Sequence, residues 1–169
     1  MLNRISFIIP LKSRDMIVCR YCGHGDGGKY LSGEELQKLR CRSAVILMGC
    51  SSGLLKSKGY LDVFGTVMYY FLAGCPCVVA NLWNVTDREI DRFSKSLIDK
   101  WLESENGTSL ADVLPKAREA CRLFNLTGSA PVVYVTCIPY NCVMCYFHPV
   151  SKCHLNNPFT PLDFYIIFS

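Results

Sequence analysis

A chain of 169 residues that is 50% hydrophobic and 19% charged has enough apolar residues for one folded domain, which excludes a disordered protein. Its net charge of +4 comes from scattered lysines and arginines, without the basic run or aromatic signature of a nucleic-acid-binding protein. A long uncharged stretch, residues 63–85, is interrupted by glycine, proline and asparagine. It therefore predicts a helix and a strand rather than a membrane span.

The first half of the chain predicts alternating strands and helices. Residues 16–23 (MIVCRYCG) indicate a strand that runs into a glycine-rich loop. A helix is expected at 32–39, where Ser32 and Glu35 have the spacing of a capping box. The apolar, β-branched run at 43–50 predicts a buried strand that is parallel to its neighbours.

The second half continues this alternation. The predicted elements are a helix at 66–73, a strand at 77–83, helices at 86–103 and 109–124, and a strand at 130–135. Thr86 is the expected N-cap of the long amphipathic helix, and Pro115 is expected to kink the following helix or to mark a late start. The whole pattern is typical of an α/β domain with a mostly parallel sheet and helices on both faces.

Eleven cysteines are many for this length, but their number is odd and their spacing irregular. The N-terminal residues show no secretory signal, so we expect reduced thiols in a cytosolic or nuclear protein rather than a disulfide framework. Cys19 and Cys22 have redox-motif spacing but do not begin a helix. The C-terminal segment contains five residues of the types that bind zinc: Cys142, Cys145, His148, Cys153 and His154. Their spacing is irregular for a zinc site, so no metal or cofactor is expected.

His24 and Cys50 each follow a predicted parallel strand, at the ends where α/β sheets form their active sites. A thiol becomes nucleophilic when a neighbouring imidazole removes its proton, and the amides of Gly25 and Cys50 are candidate donors to an oxyanion. Simpler interpretations stay open at this point: a structural thiol at Cys50 and a turn histidine at His24. A phosphate loop is disfavoured, because GHGDGG lacks the Gly-Lys-Ser/Thr ending.

Four stretches carry the most distinctive motifs: YCGHGDGGKYL, LMGCSSG, GYLDVFGTVMYYFLAGCP and ANLWNVTDREIDRF. From about Ile17 to Val133 the chain closely resembles the C-terminal protease domain of separase, a caspase-like cysteine endopeptidase. The resemblance implies a caspase-like, flavodoxin-like sheet that is incomplete at its N-terminal side, with His24 as catalytic histidine and Cys50 as nucleophile.

The resemblance also implies a substrate and a partner. The substrate would be the kleisin subunit of cohesin, cleaved after arginine to release sister chromatids, and securin would be the inhibitory chaperone. The protein would then act in the cytoplasm and nucleus, with no cofactor. In the arginine pocket, Asp91 is the expected main contact, with Asp87 nearby and Trp83 in the wall. These three residues also have structural explanations: the helix dipole favours acidic side chains in the first turn of a helix, and tryptophan is often a core residue.

The resemblance predicts three segments. Residues 1–15 are expected to lie outside the protease-like domain, residues 16–135 to form it, and residues 136–169 to be a divergent tail rich in cysteine and aromatics. Because the upstream part of the separase domain is not recognised, an alternative expectation is a truncated, inactive fragment or a securin-binding decoy. A small zinc-binding module in the tail is a third interpretation.

Overall fold

The computed structural model describes residues 5–10, 17–41, 43–57, 59, 63–105, 108–136 and 164–167. Its strands are β1 (Ile5–Pro10), β2 (Ile17–Tyr21), β3 (Ala44–Leu47), β4 (Lys56–Ser57), β5 (Val63–Phe64), β6 (Cys77–Asn81), β7 (Pro131–Thr136) and β8 (Phe164–Ile167). Its helices are α1 (Gly33–Leu36), α2 (Thr66–Leu72), α3 (Asp87–Glu103) and α4 (Leu110–Arg118), followed by a π-helical turn at Phe124–Gly128.

The main sheet has the order β1-β2-β3-β6-β7-β8, and β4 pairs separately with β5. The central strands β2, β3 and β6 are parallel, with Tyr21 opposite Leu47 and Leu47 opposite Ala80. Because α1 connects β2 to β3 and α2 connects β3 to β6, each parallel pair has a helical crossover. All three central strands therefore end at the same edge of the sheet.

Helices cover both faces of the sheet. Alternate residues of β3 face opposite ways, so Val45 and Leu47 join the core cluster beneath α2 while Ile46 joins the cluster beneath α3 and α4. Phe93 and Trp101 fill the second cluster and are fully buried. Burial on both faces explains why β3 and β6 read as continuous apolar runs in the sequence.

The α/β fold is confirmed, but parallel pairing is restricted to the centre of the sheet. Among the described strands, β1–β2, β6–β7 and β7–β8 are antiparallel. Two helices, rather than one, separate β6 from β7, and they run in opposite directions. Trp101 Nε1 donates to the Thr108 carbonyl at 3.1 Å at one end, and the Cys121 thiol donates to the Glu89 carbonyl at 3.7 Å at the other. The second helix returns the chain to the carboxyl end of β6, so β7 must run backwards.

Several predicted elements are confirmed with shifted limits. The capping box of Ser32 and Glu35 is present, although α1 is only one turn long. Thr86 occupies the N-cap position of α3 without a side-chain cap hydrogen bond. The helix predicted at 109–124 starts at its Ser109 cap and accommodates Pro115 internally, but it ends at Arg118.

Helix α4 ends earlier than predicted because a side chain of α3 binds the main chain that follows it. Glu89 of α3 is buried, and its carboxylate accepts hydrogen bonds from the main-chain amides of Arg122, at 2.5 Å, and Leu123, at 3.1 Å. These two amides are thereby held by a side chain rather than by helical carbonyls. The chain then enters the π-helical turn instead of extending α4.

Strands also occur in both of the terminal segments that were predicted to lie outside the domain. β1 belongs to residues 1–15 and pairs with β2, whereas β8 belongs to residues 136–169 and pairs with β7. The cysteine- and histidine-rich part of the C-terminal segment lies outside the described residues.

Candidate active site

The loops that follow β2, β3 and β6 meet at the carboxyl edge of the sheet. Met48 N–H donates to the Tyr21 carbonyl at 2.8 Å, which continues the β2–β3 pairing to the last residue before Gly49. Gly53 N–H donates to the Asn81 carbonyl at 2.8 Å and ties the loop after β3 to the end of β6. The parallel arrangement therefore brings His24 and Cys50 to one rim, as predicted from the order of the elements.

The glycine loop that carries His24 lies directly on Gly49. A Cβ atom on Gly49 would lie 1.7 Å from the carbonyl oxygen of Gly25 and 2.9 Å from that of Gly23. Only glycine permits this approach, and Gly25 itself has a positive φ of 65°. The Tyr21 hydroxyl donates to the His24 carbonyl at 2.9 Å and anchors the loop further. The main chain on both sides of the exposed His24 thus contacts the residue before Cys50.

Cys50 lies in a sharp turn after β3, and its side chain is half-buried. Its thiol donates to the Val85 carbonyl at 3.1 Å. Ser51 has a positive φ of 53°, an uncommon conformation for a residue with a side chain. Its amide donates to the Trp83 carbonyl at 3.0 Å, and its hydroxyl donates to Asn84 Oδ1 at 2.8 Å. The NLWNV segment therefore fixes the turn that presents the thiol.

A buried polar network supports this turn from below. The Ser52 hydroxyl donates to the Leu47 carbonyl at 2.8 Å and accepts from Asn81 N–H at 3.1 Å. Asn81 Nδ2 donates to the Gly49 carbonyl at 3.0 Å, and the residue is fully buried. Because buried polar groups are costly when unpaired, this network defines one conformation for the loop.

The sequence interpretation did not identify these supporting residues. Tyr134 of β7 is one of them, since its hydroxyl donates to the Gly53 carbonyl at 2.5 Å. A detectable signal existed for Asn81, which is a polar residue at the end of the apolar run CVVAN. Ser52 and Tyr134 carry no comparable signal, because their partners are distant in the chain.

Asp26 joins the His24 loop to the beginning of α2. Its carboxylate accepts hydrogen bonds from the Thr66 hydroxyl and, at 3.0 Å, from Gly28 N–H. Burial raises the pKa of Asp26, but these hydrogen bonds outweigh burial and bring that pKa below its ordinary value. A negatively charged, anchored Asp26 therefore restrains the glycine loop.

The three predicted pocket residues lie on the segment that leads into α3. Asp91 is exposed on α3, and its charge contributes to raising the pKa of the Cys22 thiol, after the larger effect of burial. Asp91 is thus close to the end of β2, two residues before His24. Trp83 is 38% exposed, and its Nε1 donates to the Leu126 carbonyl at 2.7 Å. Asp87 is exposed in the first turn of α3.

Within the described residues, no three His, Cys, Asp or Glu side chains are grouped so that they would hold a metal ion. The described cysteines are free thiols, Cys19 and Cys22 included. The candidate zinc ligands at 142–154 lie outside the described part of the chain. Among the helices that the structure describes, none has both the length and the apolar character that crossing a bilayer requires.

Comparison with known proteins gives one consistent family. Residues 5–90 match the family model described as Separin, protease domain. The chain is 43% identical over 124 residues to Separin of Mus musculus, covering 73% of this chain and 6% of that protein. It is 42% identical over 134 residues to Separin of Schizosaccharomyces pombe, covering 76% of this chain and 7% of that protein.

A solved structure agrees with these relatives. The crystal structure of the Saccharomyces cerevisiae separase–securin complex matches with a TM-score of 0.62 and 39% identity, over 69% of this chain and 8% of that chain. The chain thus spans less than a tenth of the length of the relatives that it matches. The family match includes His24, Cys50 and Asp87, begins within the segment 1–15, and ends one residue before Asp91.

Proposed function

This chain belongs to the separin protease-domain family, and from that premise we propose that it carries the catalytic core of a cysteine endopeptidase. The observation that supports the proposal most directly is the contact of the His24 loop with Gly49, immediately before Cys50. A histidine and a cysteine on adjoining loops are the parts that a thiol protease needs. The family relationship favours this function over the simpler interpretation of Cys50 as a structural thiol.

In the proposed mechanism, Cys50 is the nucleophile and His24 the proton carrier. The Cys50 thiolate attacks the carbonyl carbon of the scissile peptide bond and forms a tetrahedral intermediate. The main-chain amides of Gly25 and Cys50 donate to its oxyanion. His24 then protonates the leaving amine, and the carbon–nitrogen bond breaks to leave a thioester on Cys50. Water hydrolyses the thioester and restores the thiol.

The proposed specificity is for arginine on the amino-terminal side of the cleaved bond. Asp91 is proposed as the main partner of the guanidinium, since it lies on α3 close to the end of β2. Asp87 contributes negative charge at the start of the same helix, and Trp83 provides an exposed aromatic surface beside the Cys50 turn. A carboxylate can hold guanidinium with two parallel hydrogen bonds, which favours arginine over lysine.

The proposed substrate is the kleisin subunit of cohesin, whose cleavage would release sister chromatids. Securin is the proposed inhibitory partner, supported by the separase–securin complex among the similar structures. The proposed substrate, the proposed partner and the proposed location in cytoplasm and nucleus all apply to the whole protein. The competing function is an inert chain that binds securin without cleaving substrate.

The test is covalent labelling by an acyloxymethyl-ketone peptide that ends in arginine. The full chain should be labelled at Cys50, and Cys50→Ser should abolish the labelling. The matched control is Cys41→Ser, at the opposite edge of the sheet, which should be labelled like the unmodified protein. Absence of labelling from a cooperatively folded protein would overturn the enzymatic proposal, and securin binding by that protein would favour the inert alternative.

A further inference from the structure

Two further cysteines, Cys41 and Cys75, lie near each other at the opposite edge of the sheet from Cys50. Cys41 shortly precedes β3, and Cys75 shortly precedes β6, so both lie where the parallel strands begin. The two loops are tied together by their main chains. Cys41 N–H donates to the Ala73 carbonyl at 2.8 Å, and a Cβ atom on Gly74 would lie 3.3 Å from the Cys41 carbonyl oxygen.

The backbone around Cys75 is held at the end of α2, next to the loop of Cys41. Gly74 has a positive φ of 94°, which turns the chain at the end of α2. Cys75 N–H donates to the Tyr70 carbonyl at 3.0 Å and holds the residue against that helix. Cys75 belongs to the core cluster beneath α2, and the partly buried Cys41 packs against the same cluster. Both are free thiols in this structure.

The two members of the pair have different environments. Cys75 is only 1% exposed, whereas Cys41 is partly exposed to solvent. The hydrogen bond from Cys75 lowers the pKa of Cys41, and the same contact raises the pKa of Cys75. Interactions with Ser43 lower the pKa of Cys41 further, and the protonated Cys41 thiol donates to the Ser43 carbonyl at 3.9 Å. Cys41 is therefore the member of the pair that an oxidant in solution reaches first, and its lowered pKa favours the reactive thiolate form.

We propose that Cys41 and Cys75 form a reversible disulfide when the protein meets a hydroperoxide, with Cys41 as the attacking thiolate and Cys75 as the resolving thiol. This redox site is separate from the protease site and does not depend on the proposed function. The bond would join the loops that lead into two central strands, while leaving the rim with His24 and Cys50 open.

The chemistry balances in two steps. The Cys41 thiolate attacks one oxygen of the peroxide, the O–O bond breaks, and Cys41 sulfenic acid and a hydroxide (or alkoxide) ion form. The Cys75 sulfur then attacks the Cys41 sulfur, the S–O bond breaks, and its hydroxyl leaves with the Cys75 proton as water. The two sulfurs together lose two electrons, which reduce the peroxide. A dithiol reductant reverses the reaction.

A third thiol gives a competing pairing that must be distinguished. Cys19 of β2 lies close enough for the charge of Cys41 to raise its pKa, after the larger effect of burial. The main chain of Cys41, however, contacts Ala73 and Gly74, which directly precede Cys75. Cys75 is therefore the expected partner, and a Cys19–Cys41 disulfide would contradict it.

The experiment treats the full chain with hydrogen peroxide and maps its disulfides by peptide mass spectrometry. Unmodified protein should gain a Cys41–Cys75 linkage that dithiothreitol removes. Cys75→Ser should instead accumulate sulfenic acid on Cys41, detected with a dimedone probe, and Cys41→Ser should show neither product. Cys121→Ser, which removes a buried thiol beneath α3, is the matched control and should form the linkage normally.

A second measurement reports the consequence for the fold. A cross-link between two sheet-entry loops should raise the melting temperature of the oxidised protein by roughly 5 °C or more, reversibly. Neither Cys41→Ser nor Cys75→Ser should show this rise. A Cys19–Cys41 linkage, dimedone labelling spread equally over several cysteines, or no linkage in folded protein would each overturn the proposal.

Discussion

Gly49 and Gly25 are in such close contact that a Cβ atom on Gly49 would lie 1.7 Å from the Gly25 carbonyl oxygen. This relationship joins the loop after β2 to the loop after β3 through main chain alone. It explains the glycine before Cys50, whereas the glycines that flank His24 have other causes: a Cβ atom on Gly23 would lie 2.5 Å from the Tyr21 hydroxyl, and Gly25 has a positive φ of 65°. The distance between the two functional loops is set by the absence of side chains between them.

Gly49→Ala should therefore displace the His24 loop and lower the rate of Cys50 labelling by about 100-fold, since misplacement of about 1 Å has effects of this size. The matched control is Gly28→Ala in the same loop, where the nearest atom to an added Cβ is a carboxylate oxygen of Asp26 at 3.2 Å. Labelling rates of folded protein give the comparison. Equal rates for Gly49→Ala and unmodified protein would show that the contact does not position His24.

Asp91→Ala should reduce labelling by the arginine-ended probe by about 10-fold or more, because the guanidinium loses its proposed carboxylate partner. A probe that ends in a neutral residue should react with both proteins alike. Asp99→Ala, which removes an exposed carboxylate further along α3, is the control for net charge. A similar loss in both variants would indicate a general electrostatic effect rather than a pocket at Asp91.

Asn81→Ala should lower the free energy of unfolding by about 1–3 kcal/mol, because it leaves the buried Gly49 carbonyl without its donor. The exposed Asn84 also makes a hydrogen bond in this region, to Ser51. Asn84→Ala should lower the free energy of unfolding by less than about 0.5 kcal/mol, as is usual for a substitution on the protein surface. Chemical denaturation measures both, and an equal cost for the two variants would argue against the buried network as the support of the Cys50 turn.

Glu89→Gln should destabilise the protein at neutral pH and remove part of its acid sensitivity. The amide of Leu123, with that of Arg122 and the charge of Arg92, outweighs burial and lowers the pKa of Glu89 from the ordinary 4.5. The pKa of Glu89 is therefore lower in the folded than in the unfolded protein. The stability that its carboxylate contributes is complete above the ordinary pKa of 4.5 and is lost as the pH falls through the pKa of the folded state.

Melting temperatures measured from neutral to acidic pH would show the effect. The difference between unmodified protein and Glu89→Gln should be largest at neutral pH and should shrink as the solution becomes acidic. Glu103→Gln, at the exposed end of the same helix, should melt like unmodified protein throughout. A pH-independent difference for Glu89→Gln would mean that its shape, and not its charge, holds Arg122 and Leu123.

The local elements were predictable because their causes lie within a few residues. The capping box at Ser32, the N-cap position of Thr86 and the apolar stripe of α3 are short-range patterns, and the structure confirms them. The order strand, helix, strand likewise placed His24 and Cys50 at one edge, since parallel strands with helical crossovers must end together.

Other features depend on contacts between distant parts of the chain, which no local pattern contains. The direction of β7 follows from two helices packing in opposite directions, and the end of α4 follows from the Glu89 carboxylate of another helix. The support of the Cys50 turn by Asn81 and the contact between the loops of Cys41 and Cys75 are also long-range.

The sequence by itself therefore determined the α/β class, the main elements and the identity of the two candidate catalytic residues. Only the tertiary structure decided how closely their loops approach and which buried groups hold them. The physical reason is that secondary structure reflects local periodicity and capping, whereas packing and buried hydrogen bonds depend on which surfaces the fold brings together.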